Sequence, residues 1–311
     1  MIHALSIDDF DERTLRLLLS WGKEYFEAED LAHNPDAELL AGRRVALWFD
    51  EPSTRTSLSF EAAVKNLGGG VVRIDEKCSS AVKGESWGDT AAVLAELGCS
   101  ALVIRTSDAD VPSALAEEDA LSVINAGNGT VEHPTQAIGD LLCLELSGYL
   151  STHLKLAIVG DSAHSRVANS HFRLLPKCGI DVTVCAPAAW LPGSLPSLSS
   201  REKERIQLTT SLEEALSGAT VAMYLRVQKE RHADNNISLY EEFIEKYQLR
   251  SEHLSRYPSL KMVMHPGPVN WGIEISPSLR NSPKCAILRQ VRCGVAMRMA
   301  LLRYLLGGEE E

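Results

Sequence analysis

No apolar run in this 311-residue chain approaches the ~18 residues that a membrane-spanning helix requires. Nor does the first stretch, "MIHALSIDDFDERTL", carry the basic-then-apolar pattern of a secretory leader. These two absences set the expectation of a cytoplasmic protein. Positive charge is also in short supply: 31 Lys and Arg stand against 42 Asp and Glu, a net charge of −11. Such a surface repels nucleic acid and anionic membranes, so neither is expected as a partner. Cysteine is present but not organised. The seven residues, at 78, 99, 143, 178, 185, 285 and 293, are odd in number and form no C-x-x-C, which excludes a disulfide framework or a zinc ribbon. No H-x-x-x-H pair, G-x-x-x-x-G-K-[ST] loop or G-x-G-x-x-G loop occurs. No metal and no cofactor is therefore expected, and dinucleotide binding is disfavoured.

What the chain does have is alternation. Strand-like runs at 43–50, 71–75, 101–105 and 121–125 are separated by helical patterns after Ser53, over 86–98 and near 110–118. Phe60, Ala63, Val64 and Leu67 follow the helical spacing i, i+3, i+4, i+7. Pro134 suits the first position of a helix extending to about Leu150. A second set follows: strands at 154–160, 181–186, 220–225 and 260–265, with helices over 164–178, 211–217 and within 238–257, and a closing helix from about 285 to 307. Residues 187–200 form a Pro/Ser-rich loop. The pattern predicts an α/β protein of two doubly wound parallel-sheet domains of similar size, linked by two helices. The expected boundaries are 1–134 plus 285–311 for one domain and 150–284 for the other, with 135–149 as a linking helix.

In such folds ligands collect beyond the C-terminal ends of strands, and the unusual polar residues of this chain lie there. "STRT" (Ser53, Thr54, Arg55, Thr56) falls where a strand gives way to a helix. Three hydroxyls and a guanidinium beside unpartnered helix N–H groups describe a seat for an oxyanion such as phosphate; the plain alternative is an ordinary N-cap with a solvated arginine. "CSSAVKGES" offers Ser79, Ser80 and Lys83 as phosphate contacts or, equally, as a solvated loop. Arg105 ends an apolar strand and needs a partner, which a bound anion would supply. "HPTQ" presents His133 and Gln136 at another helix start, where a neutral imidazole can donate to a carbonyl oxygen or simply pack as a cap. Arg166 could clamp a carboxylate, and Arg226 and Gln228 directly follow a strand. The "HPGPVN" loop (265–270) is stiffened by Pro266 and Pro268, so its carbonyls can face a ligand. Rich in anion receptors and poor in covalent machinery, the chain suits a reaction between anionic small molecules driven by positioning and charge stabilisation.

In order and spacing, "STRT", "KGES" with serines ahead of it, "HPTQ", "HSRV", "RVQKER" and "HPGPVN" resemble the aspartate/ornithine carbamoyltransferase family over essentially the whole chain. "HPTQ", "RVQKER" and "HPGPVN" take the aspartate-type form, without the cysteines or the Ser-Met-Gly segment of ornithine enzymes. The resemblance implies carbamoyl transfer from carbamoyl phosphate to the amine of L-aspartate, the step that gives N-carbamoyl-L-aspartate for pyrimidine synthesis. It implies phosphate binding by Ser53, Thr54, Arg55, Thr56 and Arg105, and polarisation of the carbamoyl oxygen by Thr56, Arg105 and His133. Gln136 and the carbonyls of Pro266 and Gly267 would hold the carbamoyl amide, and Arg166, Arg226 and Gln228 the aspartate. Ser79 and Lys83 would reach a neighbouring subunit's site, Lys83 touching both substrates there, which implies a homotrimer with shared sites. A regulatory or dihydroorotase-type partner is left open. So are a carbamoyltransferase for another amino acid such as ornithine, and a non-catalytic homologue acting as an anion-binding or assembly partner. Two positions depart from the family pattern: Ser57 and Trp271 stand where arginine is usual.

Overall fold

The computed structural model describes residues 1–51, 53–74, 86–150, 153–227 and 237–307. It divides into two compact units, Met1–Leu142 with Val291–Glu311, and Cys143–Gln290. In the first, the strands β1 (Arg44–Phe49), β2 (Gly70–Ile74), β3 (Cys99–Thr106) and β4 (Ser122–Asn128) alternate with helices α2 (Thr54–Asn66), α3 (Trp87–Glu96) and α4 (Val111–Glu117), after a leading helix α1 (Glu12–Glu27). The strands are parallel, in the order β2-β1-β3-β4. Val45, Ala46, Leu47 and Trp48 are all buried, so both faces of β1 are covered. Buried strands of this kind appear in a sequence as unbroken apolar runs rather than alternating ones. One face packs Ala46, Trp48, Leu102, Ile104 and Val123 against Leu94 and Leu115 of α3 and α4.

The second unit holds β5 (Lys155–Val159), β6 (Asp181–Cys185), β7 (Ile206–Thr209), β8 (Val221–Tyr224) and β9 (Met262–Met264), parallel in the order β7-β6-β5-β8-β9. Its helices are α6 (Arg166–Lys177), α7 (Ser200–Lys203), α8 (Leu212–Leu216), α9 (Ile237–Lys246) and α10 (Ser251–Arg256). The chain enters this unit within α5 (Pro134–Glu145) and leaves it within α11 (Ile287–Leu306). Trp190 packs against Phe243 at 5.2 Å between ring centroids, and Phe243 stacks on Tyr247 at 5.5 Å. The buried Tyr224 hydroxyl donates to the Tyr247 carbonyl at 3.0 Å. Tyr224→Phe strands that carbonyl and should cost ~1–3 kcal/mol of stability; a shift of the denaturant midpoint at unchanged slope would measure it.

Three details differ from the expected pattern. The helix after Pro134 stops at Glu145, not near Leu150, because the chain turns at Gly148 (φ 71°). Helix α1 precedes the first strand and buries Leu15, Leu18, Gly22 and Tyr25 along one side. Strand β7 sits at the sheet edge with two exposed residues, Gln207 and Leu208. Among the described residues, no helix is long and apolar enough to cross a membrane.

Candidate active site

Each sheet contains a point where the strand order reverses: between β1 and β3 in the first unit, and between β5 and β8 in the second. The connections from such neighbouring strands leave in opposite directions, so a crevice opens beyond their C-terminal ends.

In the first unit, β1 runs out into Asp50, Glu51 and the N-terminus of α2, while β3 runs out into Arg105 and Thr106. The Asp50 N–H donates to the Arg105 carbonyl at 2.8 Å, and the Thr106 hydroxyl to Asp50 Oδ2 at 3.3 Å. The α2 start and Arg105 are thereby held side by side. Ser53 is the N-cap of α2, yet its side chain makes no capping hydrogen bond. Ser86, Ser165 and Ser211 behave differently: each hydroxyl accepts an N–H three residues ahead, at 3.0, 3.2 and 3.2 Å. The Ser57 N–H makes the first intrahelical bond, to the Ser53 carbonyl at 3.1 Å. The Ser53 hydroxyl is thus not spent on capping α2, at a helix end suited to an anion. Thr54 and Arg55 are exposed and Thr56 is buried. The partner that Arg105 needs at its strand end includes Glu51, whose carboxylate oxygen lies 3.5 Å from Arg105 Nε; sequence inspection did not single out this glutamate. An incoming phosphate would compete with Glu51 for the guanidinium.

Strand β4, beside β3, leads to His133 and α5. His133 is 4% exposed, with Nδ1 3.4 Å from the buried Thr135 hydroxyl. Gln136 Nε2 donates to Asp140 Oδ1 at 3.0 Å, one turn along α5. Asp140 is fully buried, and its charge acts on the buried Arg298 of α11. Desolvation nevertheless brings the Arg298 guanidinium down to about 10. Arg298 also donates to Ser59 of α2 at 3.0 Å and lies over the Phe60 ring. Polar contacts within the first unit therefore anchor both α2 and the Gln136 side chain.

In the second unit, Gly160 ends β5 with φ 130°, and a Cβ there would come within 2.8 Å of the Leu225 carbonyl. Only glycine permits this approach of the two strand ends. Arg166, 6% exposed, is the first residue of α6 behind its Ser165 cap. Asp161, buried on the same loop, takes the His164 ring at 2.9 Å. Strand β8 ends at Tyr224, so Arg226 lies two residues past the strand, after Leu225, rather than directly at its end. Pro266 is half-buried and Gly267 holds φ 74°, with its N–H donating to His265 Nδ1 at 2.8 Å. Ser79, Lys83 and Gln228 lie outside the described residues, as does Cys78. Among the described residues, no group of three or more His, Cys, Asp or Glu is placed to hold a metal.

The two departures have local accounts. Ser57 is buried and accepts from Arg73 of β2 at 3.1 Å, while Arg73 also pairs with Glu61. A guanidinium from β2 thus stands beside position 57. Trp271 packs on the core of the second unit with Arg280 over its ring at 4.9 Å, so a guanidinium again accompanies the substituted position.

The crevices define a two-domain, parallel-sheet protein with anion-receptive strand ends, and comparison gives the family. Residues 2–145 match the aspartate/ornithine carbamoyltransferase carbamoyl-P binding domain, and residues 152–305 match the Asp/Orn binding domain of the same family. The chain is 42% identical over 271 residues to the aspartate carbamoyltransferase catalytic subunit of Moorella thermoacetica, covering 86% of both chains. It is 40% identical over 306 residues to that of Syntrophus aciditrophicus, covering 98% of this chain and 96% of the relative. Among solved structures, it resembles aspartate transcarbamoylase from Trypanosoma cruzi in complex with N-(phosphonacetyl)-L-aspartic acid, with TM-score 0.85, 29% identity and coverage of 98% and 95%. It also resembles ornithine carbamoyltransferase from Thermus thermophilus, with TM-score 0.83, 25% identity and coverage of 98% and 99%. The chain belongs to the aspartate/ornithine carbamoyltransferase family.

Proposed function

We propose that this enzyme transfers the carbamoyl group of carbamoyl phosphate to the amine of L-aspartate, giving N-carbamoyl-L-aspartate and phosphate. The observation that carries the phosphate half is the Ser53 cap, which keeps its hydroxyl and the first turn of α2 free of a side-chain capping bond. Ser53, Thr54, Arg55, Thr56 and Arg105 bind the phosphate. Thr56, Arg105 and His133 donate to the carbamoyl oxygen and stabilise the charge that grows on it as the amine attacks. Gln136 accepts from the carbamoyl NH2 through its side-chain oxygen, an orientation compatible with its amide nitrogen donating to Asp140. The carbonyls of Pro266 and Gly267 offer further acceptors to that NH2. Arg166, Arg226 and Gln228 take the two aspartate carboxylates. Collapse of the tetrahedral intermediate breaks the C–O bond to phosphate, and the departing phosphate takes the proton released by the amine. Positioning and electrostatics suffice, because the substrate supplies its own leaving group and base.

This reading places the carbamoyl phosphate domain at 1–134 plus 285–311, the aspartate domain at 150–284, and the enzyme in the cytoplasm as a homotrimer with Ser79 and Lys83 completing a neighbour's site. Its test is phosphate release from carbamoyl phosphate with aspartate, with ornithine, with other amino acids and with none. Release that requires aspartate supports the reading. Equal or better use of ornithine, or no acceptor-dependent release at all, overturns it. Acceptor choice rests on charge: a guanidinium fork matches a side-chain carboxylate and repels an ammonium. Gln228→Ala should accordingly raise the KM for aspartate more than that for carbamoyl phosphate, as measured by varying each substrate against a saturating partner. The reverse ranking removes Gln228 from the acceptor site.

A further inference from the structure

Glu274 occupies an unusual position for a carboxylate. It lies between Ile273 and Ile275, is fully buried, and belongs to neither a helix nor a strand. Burial pushes its carboxyl above the usual range, opposed by the N–H donors around it. Those donors come from two loops. Oε1 accepts the Val227 N–H at 2.9 Å and the Asn270 side-chain amide at 2.8 Å; Oε2 accepts the Asn270 N–H at 2.6 Å. His265 Nε2 stands 3.8 Å from Oε2. Its Nδ1 accepts the Gly267 N–H at 2.8 Å. Three amide N–H donors from Val227 and Asn270 hold this carboxylate in place.

The geometry points to Glu274 as a positioning residue for the acceptor side of the site, an inference that rests on the aspartate-binding role of Arg226 given above. The Leu225 N–H is fixed to the Val159 carbonyl at 2.8 Å, and the Val227 N–H is fixed by Glu274. The backbone of Arg226 is thus pinned on both sides, by strand β5 and by this one carboxylate. The same carboxylate fixes Asn270, three residues past Gly267, and the His265 backbone N–H is held in turn by Gln290 at 2.8 Å. One buried group thereby sets the aim of Arg226 together with the course of the "HPGPVN" loop. Leaving buried N–H groups without an acceptor would release both loops at once.

The test uses the full chain with Glu274→Gln, in which an amide NH2 replaces one oxygen and must face N–H donors, and with Asn270→Ala, a milder cut that keeps the backbone N–H. Two readouts are taken. Steady-state rates should show the KM for aspartate raised about tenfold or more in Glu274→Gln and less in Asn270→Ala, with kcat falling by a smaller factor. Hydrogen exchange followed by mass spectrometry should show protection lost together over 225–227 and 265–270, with β5 and β6 still protected. A purely structural role would lower the active fraction and leave the KM of the folded enzyme unchanged; that result in both variants overturns the inference. Exchange that rises at only one of the two loops also overturns it. Wild-type protein that fails to carbamoylate aspartate would count against the functional reading instead, and the exchange measurement would still decide whether Glu274 holds both loops.

Discussion

Arg55→Ala is expected to lower kcat/KM by about a thousandfold, equivalent to ~4 kcal/mol of transition-state stabilisation. The size follows from where the charge is placed. Arg55 is the second residue of α2, in the first turn of the helix, where the N–H groups carry the positive end of the helix dipole. The phosphate of carbamoyl phosphate gains negative charge as the C–O bond breaks. A donor fixed to the leaving group strengthens its hydrogen bonds in that transition state more than in the ground state. Alanine also keeps the helix: it is a good helix former, and Arg55 is exposed, so the melting temperature should stay near wild type. The measurement is kcat/KM for carbamoyl phosphate at saturating aspartate. A loss within threefold, only ~0.7 kcal/mol, would mean that the phosphate sits elsewhere.

Much of this arrangement was legible in the sequence because the parallel strands are buried on both faces. "VALWF" and "ALVI" are unbroken apolar runs, and each is followed by a polar residue, Asp50 or Arg105, at the C-terminal end of its strand. The reversal of strand order then turns those two strand ends into one crevice, which explains why Ser53–Thr56 and Arg105 emerge together although about fifty residues separate them. Sequence spacing alone does not show which strands are neighbours. It missed what depends on tertiary contact. Strand β7 has an edge position and the pattern Ile206, Gln207, Leu208, Thr209, too short and too exposed to stand out. Helix α1 carries Gly22 in its buried stripe, where a Cβ would come within 2.9 Å of a Leu142 methyl; a glycine lowers helix propensity, but here it lets Leu142 pack close to the helix. Glu51 and Glu274 look like ordinary acidic residues until their partners, Arg105 and the Val227 and Asn270 amides, are brought to them. The one local clue was Glu274 itself, a lone carboxylate between two isoleucines. Such a residue must either expose its neighbours or bury its charge, and this one is buried.

Mixing two inactive variants, Arg55→Ala and Lys83→Ala, is expected to restore activity. Lys83 lies in "CSSAVKGES", a polar stretch of sequence with a single lysine, in a chain of net charge −11. An acidic protein that binds two anionic substrates must gather positive charge locally, and the family resemblance implies that this lysine serves the neighbouring subunit's site. Each active site then combines Ser53–Thr56 from one chain with Ser79 and Lys83 from the next. In a hybrid oligomer, an interface pairing the intact Arg55 of a Lys83→Ala chain with the intact Lys83 of an Arg55→Ala chain has no lesion. With free exchange of subunits at equal ratio, about one site in four is of this kind in a cyclic homo-oligomer. The other sites carry one lesion or both and contribute little. The recovered activity should therefore approach a quarter of wild type and should appear only after exchange, which native mass spectrometry can follow as mixed oligomers. If mixed oligomers form and no activity returns, each site is complete within one chain, and Lys83 has no place across the subunit boundary.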